Sequence, residues 1–405
     1  MFGIYASPAI LLGSGLLVGI LFLVHIFNKK QNPIPPKSSP NLAYLLDILV
    51  FCMGIYCCYQ TIASFVDANP CTDYYSNTGS DVLPCIGISI ERFLQGEFPY
   101  KMINDHEWDF QHNLFPTYLP LLWMPFIIPH FLSIDFRLFA FFIFVTSLFC
   151  FYYKTIFYEK NWLWRALQIA APFSVIYFYS QFVQSLKFVV EPLVIAYYLL
   201  LALGIMRRKN WLLLATALVL CLLSRYAIVL FVPLIFWVIG IEESRLKVVK
   251  IATFTGIGIL TIYILPFLTK DPTIFHKSLT YYTVNTGPIW ERHAHLEQTS
   301  KPSIFTEGIG TLIYTYQYGK GTVIDRYELN RDLHYLALIS VVLALGFIYW
   351  RYQQFFDGRL FLLGGMKIYL VLFYNLISYP FPYLFLTPII LSLPLIYLIS
   401  SDSIL

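Results

Sequence analysis

Apolar runs of about twenty residues recur from one end of this chain to the other, the length a helix needs to cross the hydrocarbon of a bilayer. They fall at about 7–27, 42–66, 115–134, 136–157, 161–181, 184–206, 210–226, 227–241, 248–268, 334–350, 359–378 and 380–400. Lipid offers no partner to an exposed backbone amide, so runs this long must be helices; barrel strands would be half as long and alternating. Charged residues make up only 12% of the chain, about half the share usual in a soluble domain. The expected fold class is an all-α polytopic membrane protein, a single transmembrane domain over 1–405.

Two polar stretches interrupt the runs, 67–114 and 269–333. Lysine and arginine in short loops mark the cytoplasmic side. Four loops qualify: Lys29, Lys30 and Lys37; Arg207, Arg208 and Lys209; Arg245, Lys247 and Lys250; Arg351 and Arg359. Both long stretches then lie outside the cytoplasm. Lys29 and Lys30 follow the first apolar run instead of preceding it, so that run reads as a retained span and not as a signal peptide. An odd number of crossings must separate the first outside loop from Arg207, yet four runs lie between them. The 115–134 run is expected not to span, because Pro116, Pro120, Pro125 and Pro129 break a straight helix. About eleven crossings result. The net charge of +4 is spread thinly along the chain, which excludes a nucleic-acid surface. Neither outside loop contains Asn-x-Ser/Thr, which is compatible with a bacterial host.

In the first outside loop, Ile86, Ile90, Phe93 and Leu94 share one helical face and Ser89, Glu91, Arg92 and Gln95 take the other. Gly96 can cap this helix and Pro99 stop it. Beside membrane spans, such a helix is expected to lie in the interface plane. Asp81 precedes it, where the helix dipole favours a carboxylate. It reads either as a solvated, N-capping residue or as a reactive carboxylate, with Asp73 as the reserve. Asp105, His106, Glu107 and Asp109 could bind a cation or supply a second acid/base group, or simply belong to a solvated loop; His106 and His112, six apart, have no paired partner at zinc spacing. Cys71 and Cys85 share this loop and could pair, a question the sequence leaves open. Cys52, Cys57, Cys58, Cys150 and Cys221 lie in apolar runs and read as packing residues.

Charges inside apolar runs are costly and mark functional or paired groups. Arg225, in Ser224-Arg225-Tyr226, is one, either holding an anion or paired with a carboxylate. Lys187 and Glu191 are four apart and can pair on one helix face. The second outside loop holds Tyr281, Tyr282, Asn285, Trp290, Glu291, Arg292, His293 and His295, rings and polar groups suited to sugar recognition, with His276, Lys277, Lys320 and Arg326 as cations able to reach a phosphate. Gly308-Ile309-Gly310 lacks the strand that a nucleotide-binding turn requires.

Ser80-Asp81, the amphipathic helix, Gly96-x-x-Pro99-Tyr100, the proline-rich Phe115-Pro116-Thr117-Tyr118-Leu119-Pro120 and the Asp135-Phe136-Arg137 turn follow one another in an order that resembles the GT-C superfamily. These are membrane glycosyltransferases that use polyprenyl-phosphate sugars; the similarity is greatest to bacterial mannosyltransferase-like and arabinofuranosyltransferase-like members. The motif match covers 80–137, and the hydropathy layout most of the chain. The resemblance implies a GT-C-like fold with two extracytoplasmic loops carrying interfacial helices. It places Asp81 at the position of the family's proposed base. Tyr100, Tyr118, His106, Lys187 and Arg225 then become candidates for substrate contact, and Trp290, Arg292 and His293 belong to the loop that caps the donor site. It implies no cofactor and no essential metal. The partners would be membrane lipid, a polyprenyl-phosphate sugar and a glycan, lipid or protein acceptor, at the outer face of a bacterial inner membrane. The sequence departs from the family where Val82 follows Asp81 in place of a second acid, where the 7–27 run precedes the family's first span, and where Pro84 and Cys85 occupy the expected helix start. Two other classes remain: a flippase or transporter of lipid-linked sugars, which predicts repeats and broken helices at the midplane, and a non-catalytic membrane scaffold.

Overall fold

The computed structural model describes residues 2–27, 41–68, 81–103, 114–155, 162–182, 189–207, 209–281, 321–377 and 381–400. Among them the chain is all-α; β pairing is confined to one antiparallel bridge between Ile103 and Leu114. Five helices are long and apolar enough to cross a membrane, over Leu45–Asp67, Phe136–Tyr153, Arg245–Leu268, Asp325–Tyr352 and Gly358–Leu376. Shorter apolar helices accompany them. This is the architecture of an integral membrane protein, and the chain forms two compact units, each discontinuous in sequence.

The unit that carries Asp81 contains α2 (Asn41–Ala68), α3 (Val82–Leu94), α4 (Pro120–Trp123), α5 (Ile127–Phe131), α6 (Phe136–Thr155), α7 (Trp162–Phe182), α8 (Glu191–Met206), α9 (Trp211–Leu222) and most of α11 (Arg245–Ile259). The proline-rich run is broken, as the sequence predicts: α4, one 3-10 turn over Met124–Phe126 and α5 together span Pro120–Phe131. At a rise of 1.5 Å per residue that is about 18 Å, well short of a bilayer. α6, α7 and α8 lie between it and Arg207. α2 packs along α7, where Gly54 leaves room for the Phe173 ring; a Cβ there would stand 2.4 Å from it. Asp47 and Arg165, both fully buried, pair across the same seam at 2.6 Å. α8 and α9 form a tight hairpin because Gly204 admits the Leu214 backbone, which a Cβ would meet at 2.8 Å.

The second unit contains α1 (Phe2–Ile26), α10 (Val232–Glu242), α12 (Val323–Tyr352), α13 (Gly358–Leu376) and most of α14 (Leu386–Ser400). α1 lies on α13 through Gly15 and Gly19, with Val371 and Ile368 in the space a Cβ would fill. Arg359 bonds Glu243, which also pairs with Lys247, and the Tyr349 hydroxyl donates to Glu242 at 2.6 Å. Phe27 packs on Phe355 and Phe356, ring centroids 5.1 and 5.3 Å apart. The end of α1, the Glu243–Lys247 turn and the turn before Arg359 therefore share one end of this unit, and all three belong to the basic loops.

α12 begins at Val323, some ten residues before the apolar run, and so takes up the end of the stretch read as a loop. Its start is fixed by a capping box: Thr322 accepts from the Asp325 amide, and Asp325 accepts from the Thr322 amide at 2.8 Å. Hydropathy marks where a helix enters lipid, while caps mark where it begins. Cys58 and Cys221 are buried as expected, but Cys52, Cys57 and Cys150 lie on exposed helix surface in place of the packing role assigned to them.

Candidate functional site

Every residue of α3 from Val82 to Ile90 is buried, and of its polar side Ser89 and Arg92 are buried while Glu91 is half-buried and Gln95 is exposed. Cys85, Gly87 and Ser89 are small, which lets neighbouring elements close over that side. The helix packs on α4 and the following 3-10 turn, and Phe93 meets the Trp123 ring at 5.5 Å. Its C-terminus is closed by Gly96 at φ 77°, with Glu97 N–H donating to the Arg92 carbonyl at 2.7 Å and Gly96 N–H to that of Phe93 at 3.1 Å. The Arg92 guanidinium, itself buried, donates to the carbonyls of Lys101 at 2.6 Å and Met102 at 3.0 Å, and so fixes the chain that carries Tyr100.

Asp81 stands at the start of α3 in helical conformation, φ −79° and ψ −13°, and its carboxylate makes no capping bond to the helix. A carboxylate in this position usually accepts from the N2 or N3 amide; here it does not, and the capping reading falls away. Desolvation raises its pKa above the ordinary carboxylate value, against a small opposing bond from its own amide. Asp81, Cys85, Ser89 and Arg92 repeat at helical spacing along one side of α3. Cys85 is a free, buried thiol, raised by burial and then by the charge of Asp81, with a Ser89 hydrogen bond and Arg92 acting the other way.

Tyr100 is buried beside this stripe. Its hydroxyl donates to the Tyr118 carbonyl at 3.1 Å and accepts from the Trp123 indole at 3.3 Å. Burial holds it well above the usual phenol range, Trp123 opposes, and Tyr263, Tyr226 and Cys85 are near enough to add to the rise. Tyr263 and Phe267 arrive from Leu260–Leu268, where the helix begun by α11 widens into a π-helix around Pro266. Proline cannot donate to the carbonyl a turn back and clashes with it; the widened turns bring Phe267 against Tyr100 at 5.2 Å and Trp123 at 6.0 Å.

Tyr226 is hydrogen-bonded to Tyr263 and follows Arg225 in the break after α9. Arg225 makes a two-pronged contact with Glu191, Nη1 to Oε1 at 3.0 Å and Nη2 to Oε2 at 2.6 Å. The Glu191 side chain is fully buried at the first turn of α8, where the helix dipole favours it. Arg225 keeps about a fifth of its side chain exposed, 21%. α4 braces this corner: the Leu121 amide donates to the Leu223 carbonyl at 2.9 Å and the Tyr197 hydroxyl to the Leu121 carbonyl at 3.1 Å.

Asp81, Tyr100, Tyr118 and Arg225 therefore belong to one unit, linked through Cys85, Tyr226 and Tyr263. Asp73, His106, Lys187, Trp290, Arg292, His293 and Cys71 lie outside the described residues. Glu191 bonds Arg225, and Lys187, its expected partner four residues away, lies outside the described residues. Trp123, Tyr263 and Phe267 were missed, because an aromatic residue inside an apolar run looks like core. Pro266 within a span was the signal for the last two. Among the described residues no group of three or more His, Cys, Asp or Glu is placed to hold a metal ion.

No family model matches the sequence, and no curated protein or solved structure does either.

Proposed function

We propose that the protein is a membrane glycosyltransferase of GT-C type, moving a hexose or pentose from a polyprenyl-phosphate donor to a glycan, lipid or protein acceptor. One observation carries the reading: the carboxylate of half-buried Asp81 makes no capping bond to α3 and stands at the head of the stripe that Cys85 continues beside Tyr100. A raised carboxylate pKa makes a stronger base, which is what the removal of an alcohol proton needs. The acceptor hydroxyl oxygen bonds to the anomeric carbon of the donor as that carbon's bond to the phosphate oxygen breaks. The hydroxyl proton goes to Asp81, and the electron pair of the broken bond leaves on the polyprenyl phosphate. Arg225 faces that phosphate with planar donors suited to it, and the Tyr100, Trp123 and Phe267 rings form an apolar wall beside it. The reading takes about eleven crossings, with 67–114 and 269–333 on the extracytoplasmic side of a bacterial inner membrane and no essential metal. The buried setting of α3 adds support, since excluding water strengthens every charge interaction of the reaction.

The test is sugar transfer by purified protein from radiolabelled polyprenyl-phosphate sugars to a crude membrane acceptor extract, with Asp81→Asn beside the wild type. Transfer that disappears in a folded Asp81→Asn is expected. Equal transfer by both removes Asp81 from the mechanism. No transfer from any hexosyl or pentosyl donor, with lipid-sugar movement in liposomes, replaces the enzyme by a transporter.

A further inference from the structure

Of the five helices long enough to span a membrane, α13 is the most enclosed: most of its apolar window is buried, against half or less in the other four. Lys367 is its middle residue, about 13 Å along the axis from either end. The side chain is 2% exposed. A charge at that depth is costly and marks a functional group.

The other buried cations show what such a charge receives in this chain. Arg137 holds the Asp135 carboxylate at 2.7 Å, Arg165 that of Asp47 at 2.6 Å, and Arg359 that of Glu243. Arg92 spreads its guanidinium over the carbonyls of Pro99, Lys101 and Met102. Lys367 has one bond, from Nζ to the Pro388 carbonyl of α14. That carbonyl also accepts from the Ser392 hydroxyl at 3.0 Å, so it is shared. An ammonium has three donors, and two remain. Among the described residues no carboxylate meets them. The acids of this unit are placed elsewhere: Glu242 accepts from Tyr349, Glu243 holds Arg359 and Lys247, Asp325 and Asp357 cap α12 and α13, and Glu328 and Asp332 are exposed.

A buried charge needs an opposite one. One monovalent anion neutralises Lys367; a divalent anion costs more to dehydrate and leaves a net charge behind. Lipid headgroups stay near the helix ends, well away from the middle of α13, and the enclosure of this helix favours a compact ion over an organic acid. We infer that Lys367 is the ligand of a compact monovalent anion of halide size, held at the middle of α13 beside α14. The anion completes the ion pair that Arg137, Arg165 and Arg359 find in carboxylates. The site lies in the unit without Asp81 and does not depend on the sugar-transfer reading.

The test is thermal unfolding of the purified full chain in a non-ionic detergent, followed by tryptophan fluorescence, with chloride exchanged for gluconate at constant ionic strength. Ligand that binds only the folded state raises the midpoint by mass action, here by about 2 °C for each tenfold rise in chloride above half-saturation. Bromide should do as much, and sulfate at the same ionic strength should not. Lys367→Met removes the cation without stranding a counter-charge and should lose the dependence. A wild-type midpoint that is the same in chloride, bromide and gluconate overturns the inference, and so does a dependence that Lys367→Met keeps in full. Should Lys367→Met fail to fold, equilibrium dialysis of the wild type against radiolabelled chloride decides. One saturable site per chain, displaced by bromide and not by gluconate, is expected, and no saturable binding overturns the proposal.

Discussion

The α2–α7 seam turns on one buried ion pair. Arg165 Nε stands 2.6 Å from Asp47 Oδ2, with side-chain exposures of 0 and 1%. At an effective dielectric of about 20, unit charges about 4 Å apart attract by about 4 kcal/mol. Taking both ions out of water costs several kcal/mol each, so the pair as a whole contributes little while either partner alone is a liability. Arg165→Met, which removes the cation facing the buried Asp47, is expected to cost about 3–5 kcal/mol, and Asp47→Leu, which removes a carboxylate from beside the buried Arg165, about the same. The double variant Asp47→Leu/Arg165→Met is expected to be at least as stable as either single by a margin of about 3 kcal/mol, and within about 1 kcal/mol of the wild type or above it. Reversible unfolding in mixed detergent micelles, followed by tryptophan fluorescence, gives all four corners of the cycle. The costs have an internal control on the same seam: Gly54→Leu, which drives a side chain into the Phe173 ring, should cost about 1–3 kcal/mol through overpacking alone and add independently. Single variants whose costs simply sum in the double would refute the reasoning, because the pair would then not be coupled.

Asp81→Asn should abolish transfer yet leave the protein more stable than the wild type at neutral and higher pH. A carboxyl whose folded pKa is raised binds its proton more tightly folded than unfolded, so stability falls as pH rises through the interval above the ordinary carboxylate value. The advantage of Asp81→Asn, read from thermal unfolding at a series of pH values, should therefore shrink to nothing as pH drops below that value. The base must be ionised to act, so the acidic limb of the wild-type rate profile should sit above the range of an ordinary carboxylate. Tyr100→Phe removes the hydroxyl bonded to Tyr118 and Trp123 and leaves the Trp123 indole short of an acceptor; a loss of about 1–3 kcal/mol in unfolding free energy is expected. Gly204→Val should open the α8–α9 hairpin by pushing the Leu214 backbone, seen as a loss of about 2 kcal/mol or more in the same unfolding measurement.

Much of this arrangement could be read in the sequence because membrane helices announce themselves by length and composition. The apolar runs, the proline-broken 115–134 segment and the Gly96 stop all rest on local chemistry. Charge inside a run was equally visible at Arg225. Its contact with Glu191 was not, because the two are 34 residues apart in the chain and local spacing shows only pairs within a turn or two. Helical periodicity gave α3 its amphipathic face, but periodicity describes one helix in isolation, and the burial of Ser89 and Arg92 on its polar side depends on the elements packed around it. Asp81 could be placed near a helix start from sequence; that its carboxylate stays out of the cap depends on backbone angles the sequence does not display. The aromatic wall escaped notice for a plainer reason, since tyrosine and phenylalanine are common throughout this chain.

The π-helical stretch Leu260–Leu268 makes the position of Phe267 a matter of counting. Each wide turn absorbs a residue that an α-helix would have no place for, and removing one residue turns everything beyond it by about 100°. Tyr263 and Phe267 would then no longer face Tyr100 and Trp123 together, although every side chain in the segment could be kept. Scanning this helix by substitution would score most positions as interchangeable greasy residues. The information that builds the wall lies as much in the tally of residues before Pro266 as in the rings of Tyr263 and Phe267, so a one-residue deletion here removes what no single exchange elsewhere in the segment would.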